Sequence, residues 1–168
     1  MWELILVRHA IAEDPPADGS LPDAERALTP EGHKRMCKAA SGLAGQVAAV
    51  DLLVSSPLRR ARQTADILAK KGPEPDERDL HEGLAPGGDP ETFLAWLAGR
   101  PGGRVLAVGH EPDLSRLATL ALAGDAPPVL HFKKGGALGI RFAAPPAPAN
   151  GLLQWYLPPR ILRALGRT

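Results

Sequence analysis

Three apolar runs, each too short for a helix, constrain the fold of this chain most strongly. Leu4 to Val7 is wholly apolar, and Val50 to Val54 and Arg104 to Val108 are nearly so. Such runs read as strands buried on both faces, as the central strands of a parallel sheet are. Helix starts lie between them. Thr29-Pro30-Glu31 offers a capping hydroxyl, a proline at the first helical position and an acid in the first turn, and predicts a helix to about Ala44. Ser56-Pro57 repeats the signal for a helix ending near Gly72, and Asp89-Pro90-Glu91 starts a third through Leu97. Asp113 reads as the cap of a helix over Leu114 to Leu122, and a short helix is expected after Pro158-Pro159. Ala12 to Ala27 and Asp79 to Gly88 read as loops. Leu130 to Phe132, Ala137 to Phe142 and Leu152 to Leu157 read as later strands, with no full crossover helix between them, so antiparallel pairing is expected there. The predicted fold class is α/β: a three-layer sandwich with a mixed, mostly parallel central sheet flanked by helices. At 168 residues the chain is expected to form one domain over 1–168.

Composition narrows the function classes. Lys plus Arg number 20 and Asp plus Glu 19, a net charge of +1, so no global field would draw in nucleic acid or an anionic membrane. Cys37 is the sole cysteine, which excludes an internal disulfide and a multi-cysteine metal cluster. No signal peptide is visible at Met1-Trp2-Glu3-Leu4, and no apolar run approaches the ~18 residues of a membrane span. The expectation is a cytoplasmic protein with no nucleic-acid or membrane partner.

In open α/β sheets, sites form beyond the carboxyl ends of the strands. The first strand ends in Arg8-His9 and the third in Gly109-His110. Ser55-Ser56 follows the second, with Arg59, Arg60 and Arg62 in the next helix, and His81-Glu82 precedes the third helix. Guanidinium forks match phosphate oxygens and stay charged at any working pH. A neutral imidazole can attack phosphorus, and nearby guanidiniums favour that neutral form. A second histidine can donate to the transferring group, and a carboxylic acid can protonate the leaving atom. This set of residues suits phosphoryl transfer through a covalent phosphohistidine.

The motifs resemble those of the histidine phosphatase superfamily, the phosphoglycerate mutase-like proteins. Leu4-Ile5-Leu6-Val7-Arg8-His9-Ala10 resembles the Arg-His-Gly signature, with Ala10 in place of the commoner glycine. Ser55-Ser56-Pro57-Leu58-Arg59-Arg60-Ala61-Arg62-Gln63-Thr64-Ala65 resembles the second motif, and Val108-Gly109-His110 the third. Arg26-Ala27-Leu28-Thr29-Pro30-Glu31-Gly32 and Phe132-Lys133-Lys134-Gly135-Gly136-Ala137 are similar to segments of the small SixA-type phosphohistidine phosphatases. The resemblance runs from about Leu4 to Leu165. It implies His9 as the nucleophile, with Arg8, Arg60 and His110 lining the phosphate pocket. It selects Arg60 over Arg59 and Arg62. It offers Glu82 as the general acid and Arg26 as a contact from the long loop. It implies no metal and no organic cofactor, and a phosphorylated protein or small phosphorylated molecule as substrate.

Other readings use the same residues. A phospho-ligand sensor would be expected to lack the nucleophile or an anion ligand, yet Arg8, His9, Arg60 and His110 are all present. A metal site built on His9, His110 and a carboxylate would face repulsion from adjacent arginines. A mutase would need more chain to enclose its substrate. His33 and His131 read as packing or surface residues, as does His81, whose other use beside Glu82 would be a substrate contact, and Ser55 and Ser56 as cap or ligand contacts. Arg59 and Arg62 read as solvated, as does the pair Lys133-Lys134, whose other use would be to steer acidic substrates. Cys37 reads as an incidental thiol with no histidine partner.

Overall fold

β1 (Trp2–Arg8) carries the first apolar run, and the alternation of its side chains explains why all four are apolar. Ile5 and Val7 pack into one core with α1 (Pro30–Ala44), α2 (Arg59–Lys71) and α5 (Pro159–Leu165). Leu4 and Leu6 pack into a second core with α3 (Pro90–Ala98) and α4 (Asp113–Ala123). The sheet therefore lies between two helical layers.

The computed structural model describes residues 1–166, and within them the sheet has six strands. The remaining strands are β2 (Val50–Ser55), β3 (Pro75–Leu80), β4 (Gly103–Gly109), β5 (Ala137–Phe142) and β6 (Leu152–Leu157). Their order is β3-β2-β4-β1-β5-β6. β3, β2, β4 and β1 pair in parallel, whereas β5 runs antiparallel to both β1 and β6. The mixed, mostly parallel sheet is as expected from the chain's missing late crossovers.

α1 begins as read: the Thr29 side chain accepts from Gly32 N–H at 2.8 Å. α3 is likewise capped by Asp89. Four expectations need correction. β3 lies partly in a segment read as loop, because an exposed edge strand of sequence Pro-Asp-Glu-Arg-Asp-Leu has no apolar face to reveal it. Leu130 to Phe132 forms no strand. Instead, Phe132 N–H donates to the Glu111 carboxylate at 3.3 Å, and the Phe132 carbonyl accepts from Arg8 at 2.7 Å. α2 starts at Arg59, because Leu58 is still extended at φ −66°, ψ 142°. Asp113 is inside α4 rather than its cap, and its carboxylate accepts from Gly87 N–H at 2.9 Å. Glu111 takes the capping bonds, accepting from Ser115 N–H at 2.9 Å and Ser115 Oγ at 2.6 Å.

Candidate active site

The parallel register of β1 and β4 sets Arg8 beside Gly109, so the residues that follow, His9 and His110, leave the sheet side by side. His9 N–H donates to the Gly109 carbonyl at 3.1 Å, and the two rings lie 5.0 Å apart, tilted by 51°. Beyond β2, Ser56 N–H donates to the Val108 carbonyl at 2.9 Å. That brings the Ser56 hydroxyl within 2.8 Å of His110 Nε2. The first turn of α2 carries the buried Arg60, whose Nε–H donates to His9 Nε2 at 3.4 Å.

The state of His9 follows from its partners. Nδ1 lies 2.7 Å from the Ala10 carbonyl, which can only accept, so Nδ1 holds the proton. In the neutral ring Nε2 then carries the lone pair, directed at Arg60. Burial pushes the His9 pKa down to about 3; the bond to Ala10 opposes this, and His110, Arg60 and Arg8 add to it. His110 is lowered to about 4, first by burial and then by Arg60, with Asp23 opposing. Both imidazoles are neutral near pH 7. His110 Nδ1 and Arg8 Nε are buried and have no protein partner. Buried polar atoms without partners are costly, and both suit the oxygens of a bound anion.

The long loop supplies a residue that the sequence reasoning missed. Asp23, in a one-turn 3-10 helix, accepts from Arg60 through its carbonyl at 2.9 Å and its carboxylate at 3.1 Å. The same carboxylate accepts from Arg26 Nε at 2.8 Å. Arg26 also donates to the Glu13 carbonyl at 2.8 Å, and its charge is felt at His110. Arg26 is therefore at the site's edge, held by the loop. The spacing Asp23-x-x-Arg26 was the available signal. Thr64 lies within the second motif, but the sequence reading gave it no role. Its Oγ1 donates to the Arg60 carbonyl at 2.8 Å and accepts from Ala10 N–H at 3.0 Å, tying the turn after His9 to α2. Its place in that motif, four residues after Arg60, was the available signal.

Glu82 opens the one-turn helix after β3 and is exposed, with no hydrogen bond to Arg8, His9, Arg60 or His110. Ser56 combines two roles, accepting from Leu58 N–H at 3.2 Å while contacting His110. Ser55 donates to the Ser56 carbonyl at 2.8 Å. His81 is a packing residue, set against Phe93 and Trp96 and accepting from Gly83 N–H at 2.9 Å. Cys37 does have a histidine neighbour: His33 Nδ1 lies 3.7 Å from its sulfur, one turn away on α1. Among the described residues no group of three or more His, Cys, Asp or Glu side chains is placed to hold a metal ion. No helix there is long and apolar enough to cross a membrane.

Residues 4–85 match the family model of the histidine phosphatase superfamily, branch 1. The structure of the protein histidine phosphatase SixA complexed with tungstate superimposes with a TM-score of 0.80 at 26% identity, over 94% of this chain and 97% of that one. The chain belongs to the histidine phosphatase superfamily. It is SixA-like within it. A SixA-assigned chain from Nakamurella multipartitia aligns with a TM-score of 0.71 at 27% identity, covering 92% of this chain and 94% of that one. An uncharacterized protein of Picosynechococcus sp. is 40% identical over 147 residues, 84% of this chain and 86% of the relative. Phosphatase activity is the class that this family membership supports.

Proposed function

We propose that this chain is a metal-independent phosphatase acting through a phosphohistidine on His9, with phosphohistidine, phosphoramidates or small phosphate esters as substrates. The observation that carries this reading is the 2.7 Å contact between His9 Nδ1 and the Ala10 carbonyl. It fixes the tautomer that leaves Nε2 as the nucleophile, and burial keeps that atom unprotonated. The Nε2 lone pair forms a bond to phosphorus as the bond to the leaving oxygen or nitrogen breaks. The ring then carries positive charge, which Nδ1–H shares with the Ala10 carbonyl. Arg8, Arg60 and His110 stabilise the charge on the phosphoryl oxygens. Water next attacks phosphorus, the bond to Nε2 breaks, and phosphate leaves with His9 neutral again.

The leaving atom needs a proton, and the carboxyls bonded to the site's own residues are poor donors. Asp23 is held below the ordinary carboxylate range by its bonds to Arg26 and Arg60, against the opposing effect of burial. Glu111 is saturated by Ser115 and Phe132. Glu82, which the family resemblance offers and which is exposed after β3, is the proposed acid, and it would take the proton of the attacking water in the second step. The tungstate complex of the SixA relative supports a pocket for tetrahedral oxyanions.

The test is a rapid quench of the protein with 32P-labelled phosphoramidate or an aryl phosphate in chelator, followed by peptide mapping. Acid-labile, base-stable label on the peptide containing His9, absent in His9→Ala, is the expected result. Vanadate binding with neither label nor turnover would refute catalysis and favour a phospho-ligand sensor.

A further inference from the structure

A basic groove of about 690 Å³ opens beside Arg8. Its wall holds six of the chain's 20 Lys and Arg residues: Arg8, Arg35, Lys133, Lys134, Arg160 and Arg163. No Asp or Glu lines it, although the whole chain is nearly neutral. The acids nearest these groups are engaged. Glu31 pairs with Arg35 at 2.6 Å, and Glu111 lies 3.3 Å from His131 under its hydrogen-bonded network. Lys133, Lys134, Arg160 and Arg163 have no carboxylate partner among the described residues. Such a concentration of one charge in a concave surface disfavours the empty state and attracts anions.

The groove is built from firmly tied parts. α5 lies so close to α1 that a Cβ at Gly42 would meet the Leu162 carbonyl at 1.9 Å, which sets Arg163 beside Arg35. The Lys133-Lys134 turn closes through Gly135 at φ +80°. Gly135 N–H donates to the Arg8 carbonyl at 3.0 Å, and Arg8 N–H donates to the Gly136 carbonyl at 3.1 Å. The turn is thus bound to the strand end that carries the phosphate-binding arginine. Pro158 and Pro159 add an apolar wall.

We propose that this groove is a subsite for the second anionic group of a small substrate carrying more than one phosphoryl group, with the reacting phosphate at His9. The inference rests on the phosphatase reading for the position of the reacting group. The groove's concavity and a volume in the range of small-molecule pockets favour such a ligand over a flat protein face.

The probe is inorganic tripolyphosphate, compared with orthophosphate as a competitive inhibitor of aryl phosphate hydrolysis and as a ligand in calorimetry. Tripolyphosphate is expected to bind at least about tenfold more tightly than orthophosphate. Lys133→Ala/Lys134→Ala and Arg160→Ala/Arg163→Ala should each abolish most of that preference, with aryl phosphate kcat/KM within about twofold of the parent. Arg59→Ala/Arg62→Ala, which changes charge outside the groove, should leave the preference intact. Equal binding of the two anions, or equal loss in all three variants, overturns the subsite. A preference carried instead by an acidic phosphopeptide, and lost in the groove variants, also overturns it in favour of a protein-docking surface. Absence of aryl phosphate turnover counts against the phosphatase reading alone, since calorimetry still reads the groove.

Discussion

Acidification from pH 7 to pH 5 should destabilise this protein through two buried rings that do not change charge themselves. His9 and His110 have pKa values of about 3 and about 4, against an ordinary 6.5. The folded values are depressed, so the unfolded chain binds more protons as pH falls below 6.5 while the native rings stay neutral. Stability is thus fully present above pH 6.5 and is lost as pH falls towards the folded values. Each histidine contributes a loss of ~2 kcal/mol between pH 7 and pH 5. The amount depends little on the folded values, because both native rings are neutral at both pH values. Together the two rings give ~4 kcal/mol, a large share of an ordinary domain's stability. Urea unfolding at the two pH values reads this loss. The reference is His9→Asn/His110→Asn, in which the carboxylates and the other histidines titrate as before. The parent should lose ~4 kcal/mol more than the double variant. Ring-nitrogen NMR should show His9 protonated on Nδ1 at both pH values. Equal pH slopes for the two proteins, or a His9 ring titrating near 6.5, would refute the burial argument and with it the neutral nucleophile at mild acid pH.

Arg60→Ala should weaken vanadate binding by about 10- to 100-fold, because a charge-assisted hydrogen bond is lost in a buried site. Arg59→Ala, exposed beside it, should change vanadate affinity by less than about twofold, and equal effects would place the phosphate ligand elsewhere. Glu82→Gln should slow alkyl phosphates by on the order of 100-fold and activated aryl phosphates far less. A uniform, negligible effect across leaving groups would remove Glu82 from the mechanism. Thr64→Val leaves the Ala10 N–H without its acceptor and should cost about 1–3 kcal/mol in urea unfolding, with Thr64→Ser restoring most of it. Parent-like stability in the valine variant would show that the Thr64 bridge does not hold the turn after His9.

What could be read from the sequence is what the sheet imposes. Leu4 to Val7 had to be apolar throughout because alternate side chains enter two different cores, and that pattern reveals a central strand without any partner. β3 has no such constraint. It lies at the sheet edge with polar side chains in solvent, and only its backbone pairing with β2 makes it a strand. The segment around Phe132 shows the converse. Its buried ring looked like part of a strand, but its backbone groups bond to Arg8 and Glu111 side chains from elsewhere in the fold. The two histidines were legible as neighbours because each ends an apolar run. Their actual contact needed the β1–β4 register, which no local pattern encodes.

The loop residues resisted reading for a different reason, and Asp23 shows it. A guanidinium as buried as that of Arg60, 4% exposed, is costly unless a carboxylate or a hydrogen-bonded oxygen meets it. α2 itself offers none in its first turn, since no acid is present there. The partner must therefore come from another segment, and the loop between β1 and α1 brings both the carbonyl and the carboxylate of Asp23. Because the Asp23 side chain is 57% exposed, its charge is shared with solvent and only partly offsets Arg60. Arg26 and Arg60 share that one carboxylate, so the pair keeps a net positive charge, which the proposed phosphate site would use. Under the proposed function, that balance lets Arg60 be held in place before substrate arrives while keeping the charge that would bind a phosphate.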